Sequence, residues 1–338
     1  METATNGTKL RPIARFRAVM HVSTRNGLVT ALLALGFAGT VALARAAVAR
    51  ESWPHRPRER TEHAGNALVE ISIEPGKLAV DDPTLAKLIG DSARGVAAYY
   101  GTLPFSTARV VVTPVDEGEI NGTTRCSRGV GRVSLRVGPR VTAADFRDDW
   151  VVTHELLHVA FTSLDDDSTT HEWVGEGLSS YAEPLVRVRA GTLREEDLWR
   201  DLLRGAPQGL PEAGDQGLDR THTWGRTYWG GALFWLEVDL VIREQTRNQK
   251  SIRDVLRAVA AAGTNVCVDW PMARVIATGD AATGTHALAD VYALRALTNA
   301  APDLAEFWRK LGVSLRGSGV VFDDSAPWAD TRRKMTRD

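Results

Sequence analysis

The chain has no basic excess. Its 41 Lys and Arg are balanced by 42 Asp and Glu, for a net charge of −1. That excludes the electrostatic footprint of a nucleic-acid binder. Cysteine is scarce: only Cys126 and Cys267 are present, and their spacing rules out a cysteine-ligated metal site. In an oxidising compartment the two either join in a disulfide or stay as buried thiols, and the sequence leaves both readings open. No internal repeat is found. No cysteine follows the apolar run near the start, so a lipid anchor is not indicated.

What is present suits a packed body. The 338 residues are 43% hydrophobic and 25% charged, enough for one large domain or two modest ones. The first fifty residues differ in kind. Arg11, Arg15, Arg17 and Arg25 lead into Gly27–Ala44, which carries no charge. Small residues at Ala44-Arg45-Ala46 and Ala47-Val48-Ala49 resemble cleavage sites. This is the layout of a cleaved export signal or of an uncleaved membrane anchor, with a buried helix as the plainer reading. The arginines before the apolar run place the body outside the cytoplasm. The expected localisation is therefore exported: periplasmic, extracellular, or anchored and facing outward.

Residues 51–66 are rich in Arg, His, Pro and Glu and read as a linker. Strands are predicted over Ala67–Ile73, Ala108–Val115 and Arg132–Val137, with a helix over Asp82–Tyr100 and turns over Glu117–Thr124. From residue 143 the spacing becomes helical: Ala144–Ser163 (capped by Thr142 or Asp148), His171–Ala190, Glu195–Leu203, Trp224–Gln245, Ser251–Ala262, Ala287–Asn299 and Pro302–Leu311. The fold class is α+β, with a small mixed-sheet α/β part (67–165) followed by a mainly helical part (166–315). Residues 316–338 read as a loose tail.

The chemistry concentrates at His154-Glu155-Leu156-Leu157-His158. Histidines four apart stand on one face of a helix, a turn apart. Two such imidazoles can hold one zinc ion (Zn2+). Glu155 lies beside the pair, placed to take a proton from a zinc-bound water. A chance HExxH arises in about one chain in a hundred of this composition. The flanks, Trp150-Val151-Val152 and Val159-Ala160-Phe161, are apolar, and buried histidines need partners. A third histidine six residues past His158 would mark another class of site, but that position is Leu164. Downstream candidates for a third ligand are His171, Glu172, Glu176 and Glu183.

The segment Trp173-Val174-Gly175-Glu176-Gly177-Leu178-Ser179-Ser180-Tyr181-Ala182-Glu183 resembles the WxxEGxxxYxE segment of gluzincin metallopeptidases, of the aminopeptidase N and glycyl aminopeptidase types and more distantly thermolysin. The resemblance implies a thermolysin-like core with zinc between the two parts and Glu176 as third ligand. Glu172, one turn earlier, is the competitor. Seventeen residues separate His158 from Glu176, one fewer than the usual aminopeptidase spacing. Tyr228-Trp229-Gly230-Gly231-Ala232 and Ser251-Ile252-Arg253-Asp254-Val255-Leu256 are similar to a second pair of family segments, with Gly230 where the pattern has lysine. By that likeness Tyr228 donates a hydrogen bond to the reaction's oxyanion.

The resemblance implies a zinc-dependent peptidase acting on a peptide or protein substrate. A catalytically silent zinc-containing scaffold or binding protein of the same fold is the alternative. Aminopeptidases of the family anchor the substrate's amino end with a carboxylate near a Gly-rich strand. The matching strand is expected at Arg132–Val137, and its approach, Cys126–Gly131, has no carboxylate, while Glu117 and Glu119 lie further back. That favours an endopeptidase. Asp165-Asp166-Asp167 reads as a solvated loop with a helix cap rather than a calcium site, and His222 as a surface residue rather than an assistant to Tyr228.

Overall fold

The computed structural model describes residues 56–164 and 170–337. The apolar run at 27–44 and the acidic triplet at 165–167 lie outside the described residues. No helix among the described residues is long and apolar enough to cross a membrane.

The first half is a five-stranded mixed sheet. Its strands are β1 (Arg58–Ala64), β2 (Ala67–Ile73), β3 (Thr107–Pro114), β4 (Ile120–Ser127) and β5 (Val130–Val137), in the spatial order β1-β2-β3-β5-β4. β2, β3 and β5 run parallel, and the two outer strands are antiparallel to their neighbours. Helix α1 (Asp82–Tyr100), with Asp81 accepting from the Thr84 N–H as its cap, makes the crossover that parallel β2 and β3 require. Val69, Ile71, Val110, Val112, Val133 and Leu135 alternate onto the buried face, which α1 covers with Leu85, Ile89 and Val96.

Two strands correct the sequence reading. The expected linker carries β1, an antiparallel edge strand whose charged residues suit a sheet border. The expected turns at 117–124 give way to β4. Its polar and glycine-containing sequence resists strand formation in isolation, but pairing with β5 supplies the ladder. Arg128 and Gly129 close this hairpin with φ of 53° and 76°, the two left-handed positions of a tight two-residue turn. The strand at Arg132–Val137 is therefore interior, and β4 forms the free edge.

The predicted helix 144–163 is two helices, α2 (Ala143–Asp148) and α3 (Val151–Ala160). Thr142 and Asp145 form a capping box at the start of α2. Asp149 then turns extended, and its carboxylate accepts the Val151 N–H at 2.7 Å, starting α3 in a new direction. After β6 (Ser163–Leu164) come α4 (Glu172–Arg189), α5 (Glu195–Gly205), α6 (Gly231–Gln245) and α7 (Ile252–Ala261). They are followed by β7 (Asp269–Trp270), α8 (Met272–Thr283), α9 (Ala287–Arg295) and α10 (Leu304–Leu311). Helix α8 was not predicted. Of the two readings left open for the cysteines, the structure shows the bond: Cys126 on β4 joins Cys267 beside β7 across 141 residues.

The segment expected as a loose tail is ordered as far as Arg337. It holds most of the hairpin β8 (Val313–Arg316) and β9 (Gly319–Phe322), then α11 (Ala329–Arg337). Met335 is buried, and the buried Arg332 donates to the carbonyl of Leu311 at 2.8 Å. One apolar anchor and one guanidinium on helix-end carbonyls hold a segment whose composition is polar.

Candidate metal centre

Helix α3 rests on strands β4 and β5, and α4 crosses α3. Two glycines permit close approach on either side. A Cβ on Gly122 would stand 2.6 Å from the Glu155 Cγ and from the Val151 Cγ1. A Cβ on Gly177 would stand 2.3 Å from the Gly231 carbonyl carbon, so α4 and α6 touch backbone to backbone.

These contacts bring His154, His158 and Glu176 together, the one group of three metal-ligand side chains found among the described residues. His154 Nε2 lies 3.0 Å from Glu176 Oε2 and 3.2 Å from His158 Nε2. The third side of the triangle, His158 Nε2 to Glu176 Oε2, is 3.4 Å. A tetrahedral zinc with bonds of about 2.0–2.1 Å has ligand–ligand edges of about 3.3 Å. The donor set and its spacing therefore fit zinc. Two imidazole nitrogens facing each other beside a carboxylate are also what a shared cation would satisfy. Trp150 packs edge-on to the His154 ring, with centroids 4.9 Å apart, and helps fix its orientation.

The electrostatics agree. Burial pulls His158 down, but the charge and hydrogen bond of Glu176, with Glu155 and Glu172 nearby, outweigh it and raise His158 to about 9. Burial pushes Glu176 up, yet the two histidines hold it far below the usual carboxylate range. The pocket has an excess of negative charge that a divalent cation would neutralise.

Glu155 is held from the other side. The Thr124 hydroxyl lies 2.7 Å from Glu155 Oε2 and 2.9 Å from the Glu155 carbonyl oxygen. Thr124 belongs to the strand that sequence reasoning missed. The alternation Ile120, Gly122, Thr124 was the available signal, masked by the turn-forming residues around it. Tyr228 sits on a widened π-type turn, Arg226–Gly230, that precedes α6, where an unbroken helix from 224 was expected. Burial raises the Tyr228 phenol, with Glu176, Glu172 and Glu155 adding to it, so the group stays protonated beside the triad. Trp224 stacks on it at 5.7 Å.

The other candidates lie elsewhere. His171 is 3.1 Å from the Tyr292 hydroxyl, which donates to Asp219 at 2.5 Å, and this cluster ties α4 to α9. Glu172 contributes charge to His158 but is not in the triad. Glu183 is buried and paired with Arg187 at 3.0 Å. Glu117 lies in the turn before β4, and Glu119 immediately precedes the strand. His222 is exposed.

No family model and no curated protein matches the sequence. Among solved structures, the chain is similar to an aminopeptidase N family protein from Idiomarina loihiensis. The TM-score is 0.59 at 14% identity, over 77% of this chain and 50% of that one. Weaker overlaps are with an M1 zinc metallopeptidase from Deinococcus radiodurans (TM-score 0.47, 16% identity, 74% and 53% covered) and native yeast LTA4 hydrolase (0.49, 12%, 76% and 44%). The chain spans about half the length of these proteins. The first likeness establishes a fold in common with an aminopeptidase N family protein: a small mixed sheet followed by a helical part.

Proposed function

We propose that the chain is a zinc-dependent peptidase that hydrolyses peptide bonds. The observation that carries this reading is the triangle of His154, His158 and Glu176, with sides of 3.0, 3.2 and 3.4 Å. When bound there, zinc supplies Lewis acidity to a water and to the substrate carbonyl. Glu155, oriented by Thr124, takes the proton of the attacking water and passes it to the amine nitrogen as the C–N bond breaks. Tyr228, kept protonated by its surroundings, donates to the oxygen on which negative charge develops.

Strand β4 is suited to hold the substrate. In a hairpin closed by two residues, hydrogen-bonded and non-bonded pairs alternate. The N–H and C=O groups of Gly122 and Thr124 then point away from β5, along the free edge, where an extended peptide can add as a further strand. Between Asn121 and Ser127 this edge has no carboxylate to hold an amino end, which supports an endopeptidase. The Cys126–Cys267 bond supports export, since disulfides persist in oxidising compartments. The orienting of Glu155 by Thr124 favours a working enzyme over a silent scaffold, which needs no positioned base.

The test is a peptide-library digest, with free and blocked amino ends, by zinc-loaded protein and by Glu155→Gln. The variant keeps its zinc and cleaves about 10²–10⁴-fold more slowly. Equal cleavage by the variant removes Glu155 from the chemistry.

A further inference from the structure

The sheet has a second face, turned away from α1 and α3. On β4 that face presents Asn121, Thr123 and Arg125, all exposed. Arg125 stands directly across from Arg132 on β5, and Asn121 across from Arg136. Arg132 is in turn level with Arg109 on β3. Among the described residues, Arg109 alone of this group is neutralised, by Glu70 at 2.8 Å. Arg125, Arg132 and Arg136 have no carboxylate within ion-pair distance among the described residues, and the buried Nε of Arg132 has no hydrogen-bond partner. Like charges directly opposite on adjacent strands destabilise a sheet, so a ligand carrying negative charge would relieve this arrangement.

The place of the strip gives it meaning. Arg125 follows Thr124, whose side chain on the opposite face holds Glu155. A peptide added along β4 presents alternate side chains to the two faces: one set to Glu155 and the metal centre, the other to Thr123 and Arg125. Asp116, Glu117 and Glu119 precede β4 in the chain, at the end of the strand away from Arg125.

We infer that Arg125, backed by Arg132 and Arg136, selects extended peptides carrying Asp or Glu on the side facing away from the metal centre. This rests on the peptidase reading for where the peptide lies, but on the charge pattern for what it carries. The surplus over a neutral residue is modest because the guanidinium is exposed and screened by salt.

The experiment uses short peptides with Glu, Gln or Lys at successive positions. Cleavage by the zinc-loaded protein gives kcat/KM, and fluorescence anisotropy with the zinc-loaded Glu155→Gln protein gives binding without turnover. Glu at one or two alternate positions raises both by about fivefold over Gln at low salt, and the advantage shrinks at high salt. Arg125→Lys keeps the preference, and Arg125→Glu reverses it in favour of Lys. Melting curves confirm that the variants fold, and Arg136→Glu serves as a second, weaker reversal if Arg125→Glu does not. Equal handling of the three peptides, or an unchanged preference in folded Arg125→Glu, overturns the inference. If no peptide is cut but Glu peptides bind in an Arg125-dependent way, the inference stands and the peptidase reading falls.

Discussion

Adding one methyl group at Gly122 tests how the edge strand β4 and helix α3 are fitted together. The Cβ of Gly122→Ala would lie 2.6 Å from the Glu155 Cγ, 2.6 Å from the Val151 Cγ1 and 3.0 Å from the Glu155 Oε1. Ordinary contact begins at 3.4 Å, so the two closest atoms must each move by about 0.8 Å. The backbone on either side resists. Strand β4 is held along its length by β5 and tied at Cys126 to Cys267, and α3 is buried at Val151, Val152, Leu156 and Leu157. The yielding element is the Glu155 side chain, which loses its hydrogen bond to Thr124. Overpacking of this kind costs about 1–3 kcal/mol in stability. A misplacement near 1 Å at a reacting group costs about 10²-fold in rate. The variant is therefore expected to bind one zinc, to melt a few degrees lower, and to show kcat/KM on a fluorogenic peptide reduced about 10²-fold. Full activity in a zinc-loaded Gly122→Ala protein would refute the contact between β4 and Glu155 or the role proposed for Glu155.

Other outcomes follow from the same geometry. Glu176→Ala should lose stoichiometric zinc by metal analysis while keeping its helix content, and undiminished zinc would take Glu176 out of the centre. Tyr228→Phe should retain zinc and lower kcat by about 10²-fold with little change in KM, and an unchanged kcat would assign the phenol to packing alone. Burial pushes Asp149 from 3.8 up to about 6, against the pull of the Val151 N–H and Arg187. The folded state thus binds this proton more tightly than the unfolded one, and ionised Asp149 weakens the fold as pH rises from about 4 to about 6, by at most about 3 kcal/mol. Asp149→Asn keeps the acceptor, so it should raise the melting temperature at pH 8 and leave it nearly unchanged at pH 4; equal shifts at both would contradict the burial argument. Cys267→Ser opens a closed loop spanning 141 residues of sequence separation, and chain entropy puts its cost at about 3–5 kcal/mol in unfolding experiments.

The sequence by itself determined several features that depend on local spacing. His154 and His158 four apart must share a helix face, and the run Asp82–Tyr100 forms the helix its apolar period predicts. The alternating runs at 67–73 and 132–137 lie in strands for the same reason. Glu176 came from a resemblance in sequence, and its approach to the histidines required α4 to cross α3, a contact that no local period encodes. Tertiary structure alone decided the rest. The chain at 117–124 reads as turns because Asn121 and Gly122 oppose a strand locally, yet Ile120–Ser127 is a strand. It becomes one because β5 supplies hydrogen bonds and because only glycine lets the strand lie against Glu155. Residues 316–337 read as loose because their composition is polar, and they order because Met335 and Arg332 find long-range partners. Local periodicity is written in neighbouring residues. Edge strands and the partners of a buried carboxylate such as Glu155 are fixed by residues far away in the chain, so the spacing of the histidines was legible and the setting of Glu155 was not.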